Sequence, residues 1–181
     1  IAFMRLVYNP LDEISLRRVI NLPPRGIGDK TIEKLVALGT QENLSAGEVL
    51  LGLAKANPAW QEALGREATR LASFGRLLQG WRDCAEKNQI TVLFDRILED
   101  IGYQAHIQDQ IEEGLDRWEN VMELRAVVLE YVEQGLQAFL ESMALVADQD
   151  TLPENVDAPT MLTLHAAKGL EFDQVFITGL D

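Results

Sequence analysis

This 181-residue chain is short of several things, and each shortage closes off a class of structure or function. Cys84 is its one cysteine. No intrachain disulfide can form, and a lone thiol on a helical stretch is expected to be packed. That usage fits a reducing, cytoplasmic setting. His106 and His165 are the only histidines, too few beside one cysteine for a structural zinc site, and no metal site is expected. No apolar run approaches the ~20 residues that span a bilayer. The opening stretch "IAFMRLVYNP" lacks the basic start and small-residue cleavage site of a signal peptide. A soluble protein with no membrane partner is expected. The chain opens on Ile1 rather than Met, which gives the expectation of a piece cut at both ends from a longer polypeptide. Positive charge is also scarce. Lys and Arg total 16 against 29 Asp and Glu, a formal net charge of −13. Such a surface does not coat a nucleic acid as a whole.

The charge is uneven, however. Residues 1–40 hold a net +2, so the rest of the chain carries −15. A polyanion would choose the N-terminal end and its neighbours in the fold. With 47% hydrophobic and 25% charged residues, the composition is that of a globular chain with a real core.

Most of that chain reads as helix. "LDEISLRRVINL" has acids early and arginines late, matching a helix dipole, with Ile14, Val19 and Ile20 on one face; Pro23 and Pro24 end it. A helix from near Asp29 to Gly39 follows a glycine turn. Ser45 and Glu48 have capping-box spacing, and Asn57 with Pro58 reads as an N-cap and first helical position. From there to about Asn88, Leu64, Leu71, Phe74, Leu77/Leu78 and Trp81 recur at helical spacing. "TVLFDRILEDIGY" is a short amphipathic helix, and "LQAFLESMALVAD" is the last. Between them, "LDRWENVMELRAVVLEYVEQ" is a long helix whose stripe is Trp118, Val121/Met122, Arg125, Val128/Leu129 and Val132. The acids Glu112, Glu113, Asp116 and Glu119 read as a solvated face, and His106 as a surface or capping residue. Then the pattern changes. An acidic, proline-containing connector, "DQDTLPENVDAP", leads to two β-like runs, "TMLTL" and "QVFITGL". The fold class expected is mainly α: a bundle-like helical domain over 1–150, a linker over 151–159, and a strand–loop–strand α/β fragment over 160–181.

Two segments carry chemistry. In "PPRGIGDKT", Gly26 and Gly28 permit unusual backbone angles and leave N–H groups uncovered just ahead of a helix N-terminus, between the charges of Arg25 and Lys30. This is either a seat for a DNA phosphate, read without base specificity, or an ordinary helix–turn–helix corner. In "TLHAAKGLEF", His165 can stack on a base, Gly169 lets a ligand approach the backbone, and Glu171 suits a ribose hydroxyl; Lys168 can meet a phosphate. The alternative is a solvated loop between strand and helix. No G-x-x-x-x-G-K-[ST] occurs, so nothing here cradles nucleotide phosphates as a P-loop does.

Taken together these segments resemble the UvrD/Rep/PcrA-type superfamily 1 DNA helicases over nearly the whole chain. "FMRLVYNPLDEISLRRVINLPPRGIGDKTIEKL" is similar to the segment after the family's motif IV, with its GIG element. "DRWENVMEL" is similar to its R-x-E-N helix start, with Trp118 in place of a usual aliphatic residue, and "MLTLHAAKGLEFDQVFITGL" to motif V. The resemblance implies a 2B insertion in the second RecA-like motor domain, followed by the return to that domain. It implies that Arg25, Gly26, Ile27, Gly28, Lys30 and Thr31 grip double-stranded DNA, that Thr163 and His165 touch the tracked single strand, and that Gly169 and Glu171 contact the nucleotide. ATP and Mg2+ would serve the intact parent, with catalysis in parts outside this sequence and none in the fragment. The remaining motor domains of the same chain would be partners. A protein–protein interaction module built on the acidic helices is the alternative, and a free-standing phosphate-handling enzyme a weaker one, because no nucleophile–base pair accompanies the loop.

Overall fold

The computed structural model describes residues 1–87, 89–108, 113–149 and 174–177. The chain divides into two compact units, Ile1–Asp148 and Gln149–Asp181.

The first unit is helical. Its elements are α1 (Ala2–Tyr8), α2 (Glu13–Val19), α3 (Asp29–Glu42), α4 (Ala46–Ala54), α5 (Pro58–Leu64), a 3-10 turn (Gly65–Glu67), α6 (Ala68–Lys87), α7 (Ile90–Asp100), α8 (Tyr103–Gln108), α9 (Glu113–Glu130) and α10 (Gly135–Gln149). Local chemistry sets most of the starts. The Asp12 carboxylate accepts from the Ser15 N–H at 2.9 Å to cap α2. Ser45 and Glu48 close a reciprocal capping box on α4, and Asn57 caps α5 ahead of Pro58.

The long helix α6 is the spine, and its most extensive packing is against α4. It buries Leu71, Phe74, Leu78 and Trp81 completely. Trp81 meets Phe3 and Phe74 edge-on, at ring distances of 5.7 and 6.2 Å. Its indole N–H donates to Asp100 Oδ2 at 2.8 Å, so the polar edge of a buried ring is satisfied from α7. From the same helix Arg82 donates to the carbonyl of Val7 at 2.6 Å, closing the end of α1.

The observed elements depart from the expected ones in several places, among them α9, which ends at Glu130 rather than near Gln134 and leaves Met122 and Leu129 of its expected stripe exposed. Ile14 points to solvent, 79% exposed, and the buried face of α2 is Ser15, Leu16 and Val19, with Ile20 following. Helix α3 runs past Gly39 to Glu42 and stops where Asn43 takes the left-handed conformation (φ 56°, ψ 39°). The stretch from Pro58 to Lys87 is two helices, broken at Gly65 (φ 57°). Of the C-terminal strand–loop–strand fragment, only 174–177 are described; they form no strand and are exposed. No strand occurs among the described residues, and two short strands make no stable sheet by themselves. "TMLTL" and the linker 151–159 lie outside the described residues.

Candidate nucleic-acid interface

The turn between α2 and α3 is built from side chains that fold back on it. Asn21 Oδ1 accepts from the backbone N–H of Arg25 at 2.7 Å and of Ile27 at 3.1 Å, pinning the loop at two points. The peptide between Leu22 and Pro23 is cis. Gly26 has φ +69°, a conformation that side chains strain, and Ile27 is buried to 1% exposure, plugging the turn into the core. Gly28 is the N-cap of α3, in extended conformation, with no side-chain cap on the helix. A Cβ at Gly28 would meet nothing within 4 Å, so the approach to the first turn of α3 is open. Such an opening exposes main-chain N–H groups at the positive end of a helix.

The charged residues divide into two kinds. Arg25 is half-buried. Its Nη1 lies 3.2, 3.2, 2.8 and 3.3 Å from the carbonyl oxygens of Val19, Ile20, Leu22 and Pro23, and its guanidinium carbon stands 5.2 Å over the Phe74 ring. Burial pushes its pKa below the ordinary arginine value. This arginine closes the carbonyl end of α2 and shapes the turn. Lys30 is exposed on the first turn of α3. From α6, Arg70 reaches across to donate to the Gly26 carbonyl at 3.2 Å, bringing a second exposed cation against the turn. Asp29 and Glu33, both exposed, share the start of α3 and oppose part of this positive potential. Lys34 is tied to Glu67 at 2.9 Å, which anchors α3 to the 3-10 turn.

The structure thus brings Arg25, Gly26, Ile27, Gly28, Lys30 and Thr31 into one corner, with unequal exposure. Gly26, Gly28 and Lys30 face solvent, whereas the side chains of Ile27 and Thr31 are buried and their N–H groups are already taken, by Asn21 Oδ1 and the Gly28 carbonyl. Thr163, His165, Gly169 and Glu171 lie outside the described residues. Asn21 and Arg70 were not expected. Asparagine ahead of a proline pair is a local hint of a turn. Arg70 lies 44 residues from Gly26 and leaves no signal in the sequence.

The whole chain, residues 1–181, matches the UvrD-like helicase C-terminal domain family. The chain belongs to that family. Its relatives include an ATP-dependent DNA helicase PcrA of Bacillus subtilis (strain 168), 32% identical over 192 residues, covering 100% of this chain and 25% of the relative. Proteins of the same description from Staphylococcus epidermidis (strain ATCC 12228) and Staphylococcus aureus (strain COL) are 34% and 33% identical, each again covering 100% of this chain and 25% of the relative. The chain therefore spans about a quarter of the length of the curated relatives it matches. For this member of the UvrD-like helicase C-terminal family, the described GIG corner sits on the unit Ile1–Asp148, whose described elements are helices. No described helix is long and apolar enough to cross a membrane.

Proposed function

We propose that the helical unit is the 2B accessory subdomain of an ATP-dependent DNA helicase, and that it holds duplex DNA by the phosphate backbone through the corner at residues 25–31. The observation that supports this most is the open glycine turn. Gly28 leaves main chain open at the N-terminus of α3, with Lys30 on the helix's first turn and Arg70 against Gly26. Main-chain N–H groups and two exposed cations suit phosphate, which carries no sequence information. The acids elsewhere keep the rest of the unit off the DNA, so the grip is local rather than enveloping.

In the intact parent, ATP and Mg2+ would drive unwinding, and Gly169 and Glu171 would contact the nucleotide while Thr163 and His165 touch the single strand. The chain by itself is expected to hydrolyse no ATP; DNA-stimulated turnover by the purified chain would contradict that.

The test is charge reversal at the corner. Lys30→Glu together with Arg70→Glu should abolish duplex binding in fluorescence anisotropy while leaving the circular-dichroism spectrum unchanged. Retained duplex binding, with loss of a protein partner instead, would favour the interaction-module reading.

A further inference from the structure

Helix α9 is apolar on two sides, and the core uses only one of them. Val128 is fully buried, and Val121 and Leu124 pack against the core on the inner side. On the outer side Leu115, Met122 and Leu129 are 63%, 41% and 50% exposed. They recur every seven residues, with Trp118 between the first two, so they form one line on the helix. At 1.5 Å per residue the line is about 21 Å long. Beside it lies a cleft of about 550 Å³, bordered by Leu98 and Ala105 from α7 and α8 and by Trp118 and Met122 from α9. The bidentate pair between Arg125 and Asp95, 2.6 Å at both contacts, fixes α9 against α7 and holds the cleft's geometry.

Charge tells what covers this face. Asp116, Glu119, Glu123 and Glu130 are all exposed on the flank next to the stripe, and Glu99 borders the cleft. A second copy of this chain would bring an acid row against an acid row, which is unfavourable. We infer that the outer face of α9 docks a basic amphipathic helix of another protein, its apolar residues seated along Leu115, Trp118, Met122 and Leu129 and its lysines or arginines meeting Asp116, Glu119, Glu123 and Glu130. Helix-in-groove recognition uses this division: spaced apolar anchors for affinity, and flanking charge for orientation and partner choice. The surface is distinct from the GIG corner, so the inference stands or falls apart from the DNA reading.

The probe is a synthetic helix of about 18 residues, leucine on one face and lysine on the other, titrated by calorimetry against the 181-residue chain. A scrambled peptide of the same composition, which cannot segregate its leucines, controls for attraction of any cation to an acidic protein. The amphipathic peptide should bind at least about tenfold more tightly than the scrambled one. Met122→Glu with Leu129→Glu should remove that advantage, and Glu119→Lys with Glu123→Lys should transfer it to a leucine–glutamate helix. Both variants alter exposed residues, and an unchanged melting curve confirms that they fold. Equal binding of the two peptides would overturn the inference. So would self-association of the chain that Met122→Glu abolishes, or hydrogen-exchange protection of α9 by the intact parent's own remaining domains.

Discussion

Arg25 and Lys30 carry the same charge a few residues apart and serve different ends. The Arg25 guanidinium faces the carbonyls that end α2 and stacks on Phe74, so Arg25→Ala should lower stability by about 2–3 kcal/mol in chemical unfolding. Its effect on DNA should follow from the lost shape of the turn. Lys30→Ala should leave the unfolding midpoint in place and weaken duplex binding alone. The sequence marked both residues, because a glycine pair between cations ahead of a helix is a local pattern. It could not separate them. That Arg25 turns inward and Lys30 does not depends on Phe74, far along the chain on α6. A second residue-scale expectation concerns acid. Burial alone raises the Asp12 carboxyl. Hydrogen bonds from the Ser15 side chain and N–H, the charge of Arg5, and the Ile14 N–H outweigh it, so the folded pKa lies below the ordinary value. The stabilisation from this cap is therefore complete above the ordinary aspartate pKa of about 4 and is lost as pH falls through the lowered folded value. Melting curves between about pH 5 and pH 2 should show that loss, and Asp12→Asn should flatten the slope.

At the scale of elements, what was legible was what is local. Ser45 with Glu48 and Asn57 with Pro58 announce α4 and α5 because capping needs only neighbouring residues. Ser45→Ala should cost about 1 kcal/mol, read by urea titration. What was not legible depends on packing. Helix α1 carries no capping signal, and its end is closed by Arg82 from α6. The outward turn of Ile14 reflects where α2 rests, which periodicity alone does not give. The close crossing of α4 and α6 is another case. A Cβ on Gly75 would fall 2.2 Å from the Leu50 carbonyl oxygen, so Gly75→Ala must push the two helices apart. A marked fall in the melting midpoint is expected for Gly75→Ala, although alanine is the better helix former. An unchanged midpoint would show that the helices are not locked at this point.

For the whole molecule, membership of the UvrD-like helicase C-terminal family was readable from motif order, with a GIG turn, an R-x-E-N helix start and a motif V segment in succession. The strand–loop–strand fragment was not borne out in its described part, since the polar and apolar pattern of "QVFITGL" becomes a strand only where partner strands accept it. The central claim is that an acidic helical unit grips duplex DNA at one small electropositive corner. Its most direct test is the salt dependence of duplex affinity for the chain and for Lys30→Ala with Arg70→Ala. The logarithm of the binding constant should fall steeply against the logarithm of salt concentration, and the double variant should be shallower by about 1.8, two phosphate contacts' worth. An affinity independent of salt, or a double variant with an unaltered slope, would contradict the claim.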